Sequence, residues 1–266
     1  MILQRPSIGA AVLTVIAALA AACGAHGQSD PYIPKDPPPP KTLPGVSPSD
    51  MPGLPRIYAP TLPRTAASKY PWRNGITATV FWVGEEASGR NKTPNHKSSW
   101  DTEWAKNFGG TDHPEPEKRA WDFRPKDFIP NLNPFYIALP YNDCIGHAKH
   151  KPEAPRVIPW FKANFKAPGK SVCRDRWIAI RFGRRICFAQ WQDCGPWVTD
   201  DWQYVFGTSA PRNNENNGAG IDVSPAVRDF LGMRSGDACD WRFVELSEVQ
   251  AGPSDEIRQK QPFRDP

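Results

Sequence analysis

The pattern of hydrophobic and polar positions divides the chain into three regions. Residues 8–22 form an apolar, alanine-rich run without an acidic residue, and residues 24–64 show no apolar periodicity. From residue 67 onward, short runs of β-branched and aromatic residues alternate with turns that contain Gly or Pro. Such alternation is typical of β-strands. The pattern therefore predicts one mainly β domain that follows two segments of different character.

Five runs within the third region predict strands, because each is rich in Val, Ile, Thr and aromatic residues and is bounded by turn residues. They are residues 76–83, 135–139, 177–182, 186–191 and 241–246. The sequence Gly-Arg-Arg at residues 183–185 separates two of them and predicts a tight hairpin. A less regular stretch around residues 99–107 predicts a further helical segment.

One helix is well marked in the sequence. Ser224 suits the N-cap, and Pro225 suits the first helical position. Val227, Phe230 and Leu231 give an apolar face, and a glycine at position 232 can end the helix in the left-handed conformation. We therefore expect a short amphipathic helix that packs on the strands.

The first region has the features of an export signal. Arg5 precedes the apolar run, which is shorter than the roughly 20 apolar residues of a membrane span. Residues 1–22 therefore fit a signal peptide. Small residues run directly into Cys23, and this arrangement resembles a bacterial lipobox, which implies lipidation of Cys23 and anchoring to a membrane. Ordinary cleavage after an alanine is the alternative, and both predict export to the periplasm or the cell surface.

The second region, residues 23–66, is rich in proline. Twelve of the 31 prolines of the chain lie in it, four of them in a row at residues 37–40. Proline fixes φ and donates no hydrogen bond, so this region predicts an extended tether rather than a helix or a central strand. A recognition role for the proline run remains open. Residues 67–252 are then the folded domain, and residues 253–266 form a polar tail.

Charge and cysteine content narrow the class of protein. The net charge is +5, with basic and acidic residues interspersed, so no nucleic-acid-binding face is expected. Six cysteines fit an oxidising compartment. If the first is lipidated, five remain, and two disulfides with one free thiol is the simplest count. No C-x-x-C pair occurs and the five histidines lack ligand spacing, so neither a metal nor a cofactor is expected.

Two motifs carry a resemblance to a known family. Residues 183–197 end in Asp-Cys-Gly-Pro-Trp, and residues 220–226 (GIDVSPA) lead into the helix that ends in Leu-Gly. Both resemble the rare lipoprotein A (RlpA) family, and the second is similar to a step in expansins and family 45 endoglucanases. The resemblance implies a six-stranded double-psi β-barrel with a short packed helix. The chain departs from the family in two ways. It carries a long insertion at residues 85–134, and it lacks the family's T-A-x-H motif before the second strand.

The resemblance also implies a function. It predicts binding of peptidoglycan or another polysaccharide and leaves open whether the protein cleaves the glycan, as a lytic transglycosylase does, or is a non-catalytic, expansin-like protein. Asp193 is then the acid/base, with Trp191 and Trp197 as apolar neighbours that desolvate it or stack on a sugar. The alternative for Asp193 is a loop carboxylate that caps backbone N–H groups of the Gly195–Pro196 turn.

Other residues are candidates for the same cleft. Asp222 matches the general acid of family 45 endoglucanases, although capping of the following helix is the more natural interpretation. Asp143 is expected at the mouth of the second strand, where a spacing of about 6.5–9.5 Å from another carboxyl would permit inverting hydrolysis. Asp200 and Tyr204 follow the motif and are expected to line the groove, although solvent exposure explains them equally well.

Two further expectations concern packing. Trp100, Trp104 and Trp121 of the insertion are interpreted as local packing residues rather than as ligand-stacking residues. Cys144 follows one candidate acid and Cys194 follows another. We expect these two cysteines to lie close together and to form a disulfide, which requires Cα atoms within roughly 7 Å.

Overall fold

The computed structural model describes residues 68–88, 91 and 93–249. The predicted signal peptide, the lipidated Cys23, the proline-rich tether and the polar tail lie outside these residues. Within the described part of the chain, no helix is both long and apolar enough to cross a membrane.

Six strands form a closed barrel. Around the barrel they follow the order β1 (Arg73–Val80), β7 (Ile221–Val223), β2 (Tyr136–Leu139), β6 (Arg185–Cys194), β5 (Trp177–Phe182) and β8 (Ala238–Phe243). The β1–β7 and β2–β6 pairs are parallel, and the other neighbouring pairs are antiparallel. The prediction of a mainly β domain is confirmed, with a barrel of mixed strand direction.

The remaining elements are short. A separate two-stranded hairpin consists of β3 (Cys144–Ile145) and β4 (Lys149–His150). The helices are α1 (Trp104–Phe108), α2 (Ala154–Val157), α3 (Phe161–Asn164), α4 (Trp202–Val205) and α5 (Pro225–Leu231). Two 3₁₀ turns lie at Pro116–Lys118 and Leu246–Glu248.

The local signals for the β5–β6 hairpin and for α5 are confirmed. Phe182 pairs with Arg185, which leaves a two-residue turn whose glycine, Gly183, has a φ of 56°. The Ser224 hydroxyl accepts a hydrogen bond from the backbone N–H of Val227 at 3.3 Å, as an N-cap does. Gly232 ends α5 with a φ of 71°, in the region that glycine adopts without strain.

Some element bounds differ from the prediction. β1 begins and ends three residues earlier than predicted, and β8 also begins and ends three residues earlier. β1 ends at Val80 because Phe81 and Val83 leave the barrel and join a separate hydrophobic cluster with Trp104 and Tyr136. The predicted helix around residues 99–107 is the shorter α1. The β3–β4 hairpin was not predicted.

Strand β2 is buried on both of its faces. Ile137 and Leu139 belong to the main core inside the barrel, whereas Tyr136 and Ala138 belong to the separate cluster on the outer face. That outer cluster is built largely from the β1–β2 connection, residues 81–135, which carries α1. The connection therefore lies over the outer face of β2, beside the strand ends that carry the candidate acids.

Candidate functional site

A register irregularity at the end of β6 sets the direction of Asp193. Ile137 of β2 pairs with Trp191, but the next residue, Ala138, pairs with Asp193, so β6 has one extra residue between the two pairs. Bulges of this kind re-aim a side chain and are frequent beside functional sites. Because paired residues share a face, Asp193 lies on the outer face with Ala138, and Cys194 shares the face of Leu139.

A second acid reaches the same face from the other side of β2. Ala138 pairs not only with Asp193 on β6 but also with Asp222 on β7, and Asp222 pairs with Thr79 on β1. Thr79, Asp222, Ala138 and Asp193 therefore form one row across four neighbouring strands, which we call the acid row. Ala138 stands between the two acids, and its methyl side chain is buried in the outer cluster.

Asp193 is the more enclosed acid of the row, with 9% of its surface exposed. Its Oδ1 accepts hydrogen bonds from the backbone N–H groups of Ser99 and Cys194, each at 2.7 Å. Burial raises the pKa of Asp193, and the Ser99 and Cys194 N–H groups oppose the rise by stabilising the carboxylate. The Cys194 contact resembles the predicted loop cap, whereas the Ser99 contact comes from the β1–β2 connection.

Asp222 is partly buried and accepts a hydrogen bond at Oδ1 from the Thr79 hydroxyl. Burial, followed by repulsion from Asp193 and Glu85, raises the pKa of Asp222 to about 7, against the lowering effect of the Thr79 hydrogen bond. Ser224, rather than Asp222, caps α5. The interpretation of Asp222 as the helix cap is therefore wrong.

A third carboxyl, Glu85, was missed by the sequence analysis. It lies just beyond β1 and accepts a hydrogen bond from Asn95 Nδ2 at 2.8 Å. Burial raises the pKa of Glu85 to about 7, although its hydrogen-bond donors, including Asn91 and Asn95, lower it. Its charge contributes to the raised pKa of Asp222, and its sequence position, five residues after the end of β1, does not by itself reveal this.

The loop after β6 closes on the row. A Cβ added to Gly195 would lie 2.9 Å from Asp222 Oδ2, so any side chain there would collide with the acid or displace it. Trp197, two residues on, is 49% exposed and is one of the few large aromatic side chains at the surface of the described residues. Among the predicted aromatic binding residues, Trp197 is the one that lies where a ligand can reach it.

The β1–β2 connection covers part of the row. Trp100 packs edge-on against Trp191 with ring centroids 5.6 Å apart, and its Nε1 donates to Asn142 Oδ1 at 2.9 Å. Trp104 is buried in the outer cluster. The packing interpretation of these two tryptophans is thus confirmed, whereas Trp121 is 66% exposed.

Two predicted binding residues are inside the barrel. Trp191 is fully buried in the main core, where its Nε1 donates to the backbone oxygen of Asp193 at 2.7 Å. Tyr204 is 1% exposed, and its hydroxyl accepts a hydrogen bond from Trp241 Nε1 at 2.7 Å. Neither side chain can contact a ligand at the surface, so the prediction that Trp191 and Tyr204 bind the substrate is wrong. Asp200 is exposed and forms an ion pair with Arg212.

Asp143 has different partners from the acid row. It is fully buried, and its carboxylate accepts hydrogen bonds from Ser171 Oγ at 2.6 Å and the Val172 N–H at 2.8 Å. These bonds attach the loop after β2 to residues 171–172. Neither hydrogen-bond partner is shared with Asp193 or Asp222.

The five cysteines of the described residues are all unbonded, namely Cys144, Cys173, Cys187, Cys194 and Cys239. The predicted Cys144–Cys194 disulfide is therefore not present in the structure. Cys194 Sγ instead donates to the Tyr141 carbonyl at 3.3 Å, and Cys144 Sγ lies 3.7 Å from Asp143 Oδ1.

The chain matches no family model, and no curated protein matches it. Asp222 and Glu85, each with a pKa of about 7, can donate and accept protons near neutral pH, which is the requirement of general acid–base catalysis.

Proposed function

We propose that this chain is an exported glycan-binding protein of the bacterial envelope that cleaves peptidoglycan strands by acid–base chemistry at the acid row. The observation that carries the proposal is the pairing of one small residue, Ala138, with an acid on each side. We also propose that the barrel is of the double-psi, RlpA-like type. The two parallel pairs, β1–β7 and β2–β6, flank the antiparallel β2–β7 pair and support that assignment.

Asp222 is the proposed proton donor. Its pKa of about 7 means that a large fraction is protonated at neutral pH, and its partial exposure allows a sugar oxygen to approach. Asp193, enclosed by Ser99 and Cys194, would raise the pKa of Asp222 through its charge and receive a proton as the second carboxyl. This assignment moves the acid role from Asp193, which the sequence favoured, to Asp222.

The two acids stand two strands apart in the acid row, so their Cα atoms are about 9.6 Å apart, twice the strand spacing of about 4.8 Å. Inverting hydrolysis would require their carboxyl groups to lie about 6.5–9.5 Å apart with a water molecule between them. A lytic transglycosylase reaction would instead use the 6-hydroxyl of the sugar as nucleophile, so the ends of the products distinguish the two reactions.

The test is incubation of the purified full chain with peptidoglycan sacculi, followed by mass spectrometry of the soluble products. Activity should release muropeptides, with reducing ends for hydrolysis or anhydro ends for transglycosylation. Asp222→Asn keeps the side-chain size and the Thr79 hydrogen bond but removes the titrating proton, so it should abolish release while sacculus binding persists. Release by Asp222→Asn at the wild-type rate would refute the acid assignment.

A second function is favoured by one observation, the direct contact between Ser99 of the β1–β2 connection and Asp193. A segment that donates a hydrogen bond to this carboxylate makes the carboxylate less accessible to a substrate. The alternative is therefore a non-catalytic, expansin-like lipoprotein that binds polysaccharide through Trp197. Sacculus binding without any soluble product, weakened by Trp197→Ala, would favour this alternative.

The cellular setting is part of the proposal. Export and lipidation of Cys23 would place the barrel at the end of a proline-rich tether, anchored to a membrane and within reach of the wall. Cys23→Ser is expected to move the protein from the detergent phase to the aqueous phase. Partitioning that is the same for both proteins would remove the lipid anchor from the proposal without affecting the glycan assignment.

A further inference from the structure

The fold brings together three potential metal ligands that their sequence spacing did not reveal. In the β3–β4 hairpin Cys144 pairs directly with His150, and Asp143 immediately precedes Cys144. All three side chains are shielded from solvent. Asp143 is 0% exposed, Cys144 is 5% exposed, and the His150 side chain is 7% exposed.

The distances among these ligand atoms suit a tetrahedral ion. Cys144 Sγ lies 3.7 Å from Asp143 Oδ1, His150 Nε2 lies 3.7 Å from Asp143 Oδ2, and the three residues offer ligand atoms that all lie within 4.8 Å of one another. Zinc with bonds of about 2.0–2.3 Å separates the ligand atoms of a tetrahedron by about 3.3–3.8 Å. Each of the two 3.7 Å distances matches an edge of such a tetrahedron, although they end on different oxygens of Asp143.

The surrounding residues hold two of the three side chains in place. Ser171 Oγ and the Val172 N–H each donate to a different oxygen of Asp143. The His150 ring packs against Phe161 and Phe165, with centroid separations of 5.0 and 5.5 Å. Outer contacts of this kind orient ligands and are a regular feature of metal sites.

We propose that Asp143, Cys144 and His150 supply three of the ligands of a zinc site. Thiolate, imidazole and carboxylate together are a donor set that zinc accepts, whereas calcium and magnesium prefer oxygen ligands alone. The thiolate and the carboxylate would balance the two charges of the ion. His150 Nε2 lies 2.9 Å from the Lys170 carbonyl, so metal binding replaces that hydrogen bond.

The site is separate from the acid row. Its ligands come from the β3–β4 hairpin and the residue before it, whereas the acid row lies on β1, β7, β2 and β6. The zinc proposal therefore does not depend on glycan cleavage. A protein that binds zinc but releases no muropeptide would support the zinc proposal and not the proposal of glycan cleavage.

The experiment uses the full chain, reduced and stripped of metal with a chelator, and titrated with Co²⁺. One equivalent should produce a thiolate-to-cobalt charge-transfer band, which Zn²⁺ then removes. Cys144→Ser should abolish the band, and His150→Gln should weaken cobalt binding at least tenfold. Cys187→Ser is the matched control, because Cys187 is also buried but lies on β6 within the barrel wall.

A second measurement does not depend on the folding of the variants. Zinc should slow alkylation of Cys144 in the wild-type chain and leave the alkylation rate of Cys187 unchanged. Absence of a charge-transfer band in the wild-type protein would overturn the site, as would a band that survives in folded Cys144→Ser. Peptide mapping that finds Cys144 in a disulfide in the protein as isolated would overturn it as well.

Discussion

Replacement of Asp222 by Asn should change how the stability of the fold depends on pH. The pKa of Asp222 is raised from 3.8 to about 7 in the folded chain, so the folded state holds its proton over a pH range in which the unfolded state has lost it. The wild-type free energy of unfolding should therefore fall as pH rises through this range. Asn cannot ionise, so the variant should lack this contribution.

The size of the effect follows from the shift. A change of about three pKa units, at about 1.36 kcal/mol each, gives an upper limit of about 4 kcal/mol. About 2–3 kcal/mol of it should be lost between pH 5 and pH 8, because the unfolded acid is ionised there while the folded acid keeps its proton up to a pH near 7; the remainder, about 1–2 kcal/mol, is lost below pH 5. We therefore expect Asp222→Asn to be more stable than the wild type by up to about 4 kcal/mol at pH 8 and by about 1–2 kcal/mol at pH 5.

Urea unfolding followed by tryptophan fluorescence at several pH values measures this difference. Thr79→Val provides a companion variant, because loss of its hydrogen bond to Asp222 should raise the acid's pKa further and move the loss of stability to higher pH. Parallel pH profiles for the wild type and Asp222→Asn would show that the acid is not held protonated, and the reasoning behind the acid row would fail.

Three other variants test separate features. Trp197→Ala should weaken sacculus binding at least several-fold in a pelleting assay, whereas Trp121→Ala, which removes another exposed tryptophan, should not. Ser224→Ala removes both the α5 cap and a donor to a buried carbonyl, and should lower the free energy of unfolding by about 1–3 kcal/mol. Gly169→Ala should cost more than about 1–2 kcal/mol in urea unfolding, since Gly169 has a φ of 71° and its added Cβ would collide with the His147 carbonyl.

The elements that are specified by residues adjacent to one another in the sequence were predictable. The β5–β6 hairpin combines two β-branched runs with a glycine turn, and α5 has Ser224 and Gly232 at its two ends. The β3–β4 hairpin was not predictable, because two-residue strands show no alternation of polar and apolar positions. Its contacts come instead from the segment that follows, where Phe161, Phe165 and Lys170 contact His150.

The sequence identified two acids of the candidate site but not how they are arranged. Asp193 and Asp222 were selected by resemblance of their motifs, but nothing local indicates that both strands pair with β2 at Ala138. Glu85 escaped attention because its effect on Asp222 arises across the barrel surface. The burial of Trp191 and Tyr204 was likewise hidden, because an aromatic residue of the core and one of a binding surface look alike in sequence.

Closure of the barrel restricts how another protein can attach to this chain. Every strand of the barrel has a neighbouring strand on both sides, so the barrel has no edge strand of the kind that strand addition uses. Among the strands that the structure describes, the hairpin strands β3 and β4 alone have no partner strand on one side. A partner that binds by β-augmentation would therefore have to use this hairpin, next to Cys144 and His150, and all other partners would recognise loops and side chains.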